Sequence, residues 1–262
     1  MKMFSLATMQ KVLAAVVAVA ALVAAPGVAS ATDYAVHVHG RTQITWDDTW
    51  WTMAGYTNVK CDYNSTTATL ASANVTVRSC LATRCSGANR CIIIAYSNGM
   101  NQVQYTQQYY PANLANLLYI EAGSSAAGGS ELASVGSVAQ SFLNWFGVNY
   151  EIFYANGVDA TLGVTTARAA YNHNINNGKT TYHVVGNTNA LNWIWPFTAG
   201  TLPGDDDGVV SWASGFGCNA SGSQTYNCTK FTGHVTDGGC TSNGWFGTTD
   251  HFSMDERGSY CY

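Results

Sequence analysis

The residue in this chain best placed to do chemistry is a serine at the end of an apolar run. Arg90-Cys91-Ile92-Ile93-Ile94-Ala95-Tyr96 is β-branched, uninterrupted by polar groups and bounded by turn formers, which predicts a strand buried on both faces within a parallel sheet. Ser97 stands at its C-terminal tip. Asn98-Gly99 follow, and then Met100 to Tyr110 runs free of Gly and Pro until Pro111, predicting a helix that the proline stops. Strand, sharp turn with a serine, helix is the nucleophile-elbow arrangement, which exposes the hydroxyl at the top of the sheet. Strand and helix pass closely there, so the residues two before and two after the serine must be small. Ala95 and Gly99 meet that need, in the pattern A-x-S-x-G. Buried strands also end in serine with no chemistry attached, so the reading needs partners for Ser97.

A hydroxyl near neutral pH is a weak nucleophile and needs a general base, itself oriented by a third group. Gly204-Asp205-Asp206-Asp207-Gly208 offers carboxylates, and two histidines follow it, His234 and His251. Three carboxylates in a row also suit a solvated turn or a calcium loop. Charge on a tetrahedral oxyanion needs backbone N–H donors. Asp33 to Gly40 is a short hydrophobic strand ending in His39-Gly40; a glycine there lets the backbone approach a substrate, and the donors would be the N–H groups of Arg41 and Asn98. Taken alone, His39-Gly40 is also an ordinary strand end before a turn. Trp46, Trp50 and Trp51 cluster just beyond it, either as core or as the lining of an apolar or sugar-binding cleft.

The elements that must carry these groups alternate. Candidate strands lie at 33–40, 57–63, 90–96, 117–122 and 180–186, with a helix or long connection from Thr66 to Cys80 and the helix after Ser97 between them. Alternating strands and helical connections imply βαβ units and a mostly parallel central sheet flanked by helices, with functional residues at the C-terminal strand ends. The fold class is therefore α/β. His183, inside the strand at 180–186, reads as a satisfied core histidine. Residues 135–146 show helical spacing of apolar groups, which fits ordinary sheet-covering structure or a cap or lid within 134–180. Asn192 to Phe197 adds an aromatic patch.

The chain opens with Lys2 and Lys11, an apolar run from Val12 to Ala25 and Ala29-Ser30-Ala31. That pattern predicts a secretory signal peptide over residues 1–31, leaving 32–262 as a single domain. No later apolar run is long enough to span a bilayer, so a secreted, soluble protein, extracellular or periplasmic and monomeric, is expected. The whole chain carries a net charge of −4, and losing both leader lysines makes it more negative. With no basic run, nucleic acid and anionic membrane surfaces are disfavoured as partners. All eight cysteines follow the leader, in an early group (Cys61, Cys80, Cys85, Cys91) and a late one (Cys218, Cys228, Cys240, Cys261). An even count behind an export signal predicts four disulfides, paired within groups, among about 105 connectivities. Zinc is the competing use, but no C-x-x-C pair occurs. Sequons at Asn64, Asn74, Asn219 and Asn227 matter only in a host that glycosylates.

Val36-His37-Val38-His39-Gly40, Ala95-Tyr96-Ser97-Asn98-Gly99 and Gly129-Ser130-Glu131-Leu132-Ala133 together resemble the bacterial secreted triacylglycerol lipases and esterases of the α/β-hydrolase superfamily. Those enzymes carry a G-T-P-H-x-G-S-x-x-A segment after the nucleophile helix; here Ala126-Ala127 stand where Pro-His is usual. Gly204 to Ser214 is similar to their N-D-G-x-V segment, and alignment on Gly208-Val209-Val210 places the triad acid at Asp207. Thr248 to Asp255 resembles their closing histidine loop, which puts the base at His251, with His234 as the alternative. The resemblance implies the α/β-hydrolase fold. It also implies the order Ser97, Asp207, His251, in which His251 takes and returns the Ser97 proton and Asp207 orients the imidazole. The cysteine-rich stretch bearing Cys218, Cys228 and Cys240 falls between acid and base, giving a disulfide-rich C-terminal segment.

Ester or lipid cleavage through an acyl-enzyme on Ser97 is the expected activity. His39, Gly40, Trp46 and Tyr96 would contact the substrate, and neither metal nor other cofactor is expected; calcium, which related lipases hold near the histidine loop, would have only Asp255 to use. The rival from another class is an inactive secreted binding protein of the same fold, with an aromatic cleft for glycan. A peptidase or thioesterase of this fold would differ in the bond it cleaves.

Overall fold

The structure is a computed structural model describing residues 30–40, 52–65, 68–131, 133, 179–185, 202, 206–207, 209–215 and 235–236. The elements below lie within Thr32–Tyr262, one of the two units into which the chain divides. In chain order they are β1 (Asp33–Val38), β2 (Thr57–Lys60), α1 (Leu70–Arg84), β3 (Arg90–Tyr96), α2 (Gly99–Tyr109), a 3-10 turn (Pro111–Leu114), β4 (Leu117–Gly123), β5 (Thr180–Val185), the single-turn α3 (Trp212–Gly215) and β6 (Val235–Thr236). Among the described residues six strands form one sheet in the order β2-β1-β3-β4-β5-β6, and every neighbouring pair is parallel.

This order positions the site. From β1 the chain goes to one side for β2 and returns to the other side for β3, so the connections leave in opposite directions at the C-terminal ends of β1 and β3. Open α/β sheets bind ligands at such a switch point. His39-Gly40 and Ser97 are the residues that emerge there.

Burial on both faces explains why β3 is apolar without alternation. Ile93 and Ala95 face Val36 and Val38 of β1 and Ile120 and Ala122 of β4, beneath Val77 and Leu81 of α1 and Met100 and Val103 of α2. On the opposite face Ile92, Ile94 and Tyr96 pack with Ala35 and Met53. Each buried isoleucine contributes on the order of 1.5–3 kcal/mol, so the strand that ends in Ser97 is anchored by apolar contacts on both of its faces.

Helix α1 begins at Leu70, later than the Thr66 expected, because Thr69 caps it: its hydroxyl accepts from the Ser72 N–H at 3.2 Å. Leu70, Ala73, Asn74, Val77 and Leu81 form the buried stripe. Asn74 belongs to a polar contact between helices, donating to the Gln102 carbonyl at 2.8 Å and to the Thr106 hydroxyl at 3.0 Å. That sequon is therefore buried, whereas Asn64 is exposed. The early cysteines pair within their group as expected, Cys61 with Cys80 and Cys85 with Cys91. The late four lie outside the described residues, as do the expected lid segment, the tryptophan cluster and the patch at 192–197. Helix α2 starts at Gly99, one residue early, and Pro111 opens a 3-10 turn where the helix was expected to stop. Among the described residues no helix is long and apolar enough to cross a membrane.

Candidate active site

Ser97 sits at the tip of β3 with φ of 50°, in the left-handed region that non-glycine residues seldom adopt and that costs about 1–3 kcal/mol when imposed. Its surroundings impose it. The Ser97 N–H donates to the Gly123 carbonyl at 3.0 Å, and its carbonyl accepts from the N–H groups of Ala126 at 3.0 Å and Met100 at 3.3 Å. Strand β4 and the segment beyond it thus hold the turn from one side and α2 from below.

The small residues around the serine have specific partners. A Cβ on Gly99 would collide with the carbonyl oxygen of Val38 and stand 2.7 Å from that of His39. The helix can start there only because residue 99 has no side chain. A Cβ on Gly40 would lie 2.7 Å from the Ser97 Cβ and 2.8 Å from Cδ1 of Tyr96. Gly40 therefore brings the backbone of the loop after β1 directly beside Ser97, the placement an oxyanion-binding loop requires. Tyr96, 8% exposed, packs into the apolar cluster on the far face of β3. Asn98 is fully buried and is the first residue of the turn into α2. Its N–H belongs to a helix N-terminus, where donors lack intrahelical acceptors and the dipole favours negative charge. Arg41 and Trp46 lie outside the described residues.

His39 is turned inward. Nδ1 lies 2.8 Å from the Gly40 carbonyl, Nε2 accepts from the Tyr63 N–H at 3.3 Å, and the ring stacks on Tyr63 with centroids 4.4 Å apart. Burial lowers its pKa, partly offset by the bond to the Gly40 carbonyl. The ring is engaged with the protein on both nitrogens, so it helps to fix the loop.

Asp207 is fully buried. Its Oδ1 accepts from the N–H groups of Val209 at 3.0 Å and Val210 at 2.8 Å, while its own N–H donates to the Val210 carbonyl at 3.2 Å. This tight Asx-type turn depends on the short carboxylate side chain. The loop is tied to the segment after β4: Ser130 donates to the Val209 carbonyl at 2.5 Å, Ser211 to Glu131 at 2.8 Å, and Ser214 to the Gly129 carbonyl at 2.9 Å. The same segment holds Ser97 through Ala126. Nucleophile and acid candidates are thus linked through residues 126–131. His251 and His234 lie outside the described residues, as does Asp255.

These features match solved structures at the level of fold. The chain is similar to the mature lipase of Bacillus licheniformis at 15% identity, over 87% of this chain and 88% of that one, with a TM-score of 0.53. A carboxyl esterase from a metagenome is 15% identical over 72% of this chain and 61% of its own, at a TM-score of 0.50. A phospholipase of Legionella pneumophila is 18% identical over 73% of this chain, which spans 46% of that protein, at a TM-score of 0.53. The chain has the α/β-hydrolase fold of these lipases and esterases. No protein-family model and no curated protein matches the sequence.

Sequence reasoning missed two buried groups. Tyr63 closes over the loop after β1, donating from its hydroxyl to the His39 carbonyl at 2.9 Å. Glu121, within β4, is fully buried with neither carboxyl oxygen hydrogen-bonded among the described residues. Burial pushes its pKa up to about 8, so it is a neutral acid near pH 7. It pairs with Ile94, which pairs with His37 on the other side. His37 is likewise kept neutral, its pKa lowered to about 4 by burial. The signal for Glu121 was one carboxylate inside an apolar strand; for Tyr63 no local pattern existed.

Proposed function

We propose that this protein is a serine hydrolase that cleaves carboxylic esters through an acyl-enzyme on Ser97. The observation that carries the reading is the left-handed Ser97 with Gly40 packed against it, because a nucleophile and an oxyanion-binding loop that serve one carbonyl need that proximity. His251 takes the Ser97 proton during attack and returns it to the leaving alcohol, and Asp207 holds the imidazole in the required tautomer. The N–H groups of Arg41 and Asn98 receive the oxyanion, each donor being worth roughly 10²–10³ in rate. The lipase, esterase and phospholipase named for the structural neighbours support an ester or lipid as substrate. Trp46 gives the acyl side an aromatic lining, whereas Tyr96 is packed into the core beneath the site. The two disulfides fit export to an oxidising compartment, consistent with the leader at 1–31.

Hydrolysis of p-nitrophenyl esters of increasing chain length by oxidised protein tests the reading, with Ser97→Ala alongside. Turnover that falls to background in the variant supports it, and the chain-length profile separates esterase from lipase. A folded wild type as inert as the variant overturns it and leaves the glycan-binding alternative for test.

A further inference from the structure

The loop after β1 must hold the Gly40 backbone against Ser97 without a side chain of its own to anchor it. Its fixed points come from elsewhere. The Gly40 carbonyl is only an acceptor, so the 2.8 Å contact with His39 Nδ1 requires the proton on Nδ1. Nε2 is then the bare nitrogen, which agrees with its accepting the Tyr63 N–H at 3.3 Å. The Tyr63 hydroxyl donates to the His39 carbonyl at 2.9 Å, and the two rings stack. One tyrosine therefore fixes residue 39 at its carbonyl, its ring plane and its tautomer. Tyr63 is itself held close by, because Cys61 donates its N–H to the His37 carbonyl at 2.8 Å and is joined to Cys80 on α1.

The consequence reaches the reacting centre through packing. Binding the Gly40 carbonyl to His39 holds the Gly40 backbone where it lies against Ser97, so close that a Cβ on Gly40 would stand 2.7 Å from the Ser97 Cβ.

We propose that Tyr63 is a positioning residue for the oxyanion-binding loop, acting through His39 to hold the Gly40 backbone against Ser97; the proposal rests on the ester-hydrolase reading of Ser97. It touches no reacting atom, so its effect falls on the transition state and spares ground-state binding.

Tyr63→Phe keeps the stacked ring and removes the hydroxyl. In the oxidised full-length protein it lowers kcat for a p-nitrophenyl ester by about tenfold with KM nearly unchanged, a fraction of the cost of losing a donor outright. The rate at which an organophosphonate labels Ser97 falls by the same factor. His39→Asn, which keeps a donor near the Nδ1 position, retains more kcat than His39→Leu. The imidazole ¹⁵N spectrum of the wild type shows His39 as the Nδ1–H tautomer. An active wild type whose Tyr63→Phe variant melts lower yet keeps its kcat and labelling rate overturns this proposal alone, leaving Tyr63 a packing residue. An Nε2–H tautomer in that spectrum overturns it independently of activity. A wild type that neither turns over nor labels removes the ester-hydrolase reading and this proposal with it.

Discussion

The two halves of the candidate site are held by different physics. Around Ser97 position comes from packing: β3 is buried on both faces, and Gly40 and Gly99 sit where no Cβ fits. Around Asp207 position comes from polar contacts: the turn closes on the carboxylate oxygen, and serine hydroxyls tie it to residues 129–131. Close packing tolerates almost no added volume, whereas each hydrogen bond contributes about 0.5–1.5 kcal/mol and can be removed singly. The nucleophile end should therefore fail abruptly under substitution and the acid end by degrees.

The largest effect is expected at Gly99. A Gly99→Val chain must drive its side chain into the β1 carbonyls, and the cost, about 3 kcal/mol or more of overpacking and strain, should appear as failure to accumulate folded protein or a collapse of Tm. Wild-type Tm in Gly99→Val would show that α2 does not start against β1. Gly40→Ala is the milder test at the same end: the fold survives, but displacement of the loop from Ser97 should lower kcat about 10²-fold or more, read by ester turnover at matched folded protein.

At the other end Asp207→Asn separates charge from geometry. The asparagine oxygen can still accept from Val209 and Val210, so Tm should stay near wild type while kcat drops by about 10⁴-fold, as expected when a triad acid is neutralised. A large fall in Tm would mean that the carboxylate is structural first. Ser130→Ala removes one tie to the Val209 carbonyl and should cost about 1 kcal/mol in urea melts with only a few-fold loss of kcat.

Glu121, inside β4, predicts a pH dependence. Its folded pKa, about 8, is raised above the ordinary 4.5 by burial. Between those values the folded state binds more protons than the unfolded one, so this group's contribution is favourable at low pH and is lost as pH rises from about 4.5 through 8. Glu121→Gln should match wild type near pH 4 and exceed it at pH 9, on the order of a few kcal/mol by linkage. Parallel pH–stability curves would contradict a neutral buried acid.

What was legible in the sequence follows the same division. The Ile92-Ile93-Ile94 run, the helix after Ser97 and the small residues around the elbow are local signals, and the parallel sheet follows from their alternation. The need for glycine at 99 was read as strand against following helix; the structure shows its neighbour to be the end of β1. The Asp207 loop is different, because its partners are distant in sequence: Ser130 reaches Val209 and Ser211 reaches Glu131 across 79 and 80 positions. Serines scattered through Gly- and Ala-rich segments carry no period to reveal such pairings. Tyr63 over His39, 24 positions apart, was hidden in the same way. Thr69 set the start of α1 through a cap that the pattern of apolar residues does not register.

The most direct measurement is the site and stoichiometry of covalent labelling by an organophosphonate, located by peptide mass spectrometry on oxidised protein. The account predicts one adduct per chain, on Ser97, with ester turnover lost in step and no adduct on Ser97→Ala. A folded protein that stays unlabelled, or that carries its adduct on another residue while turnover persists, would contradict it.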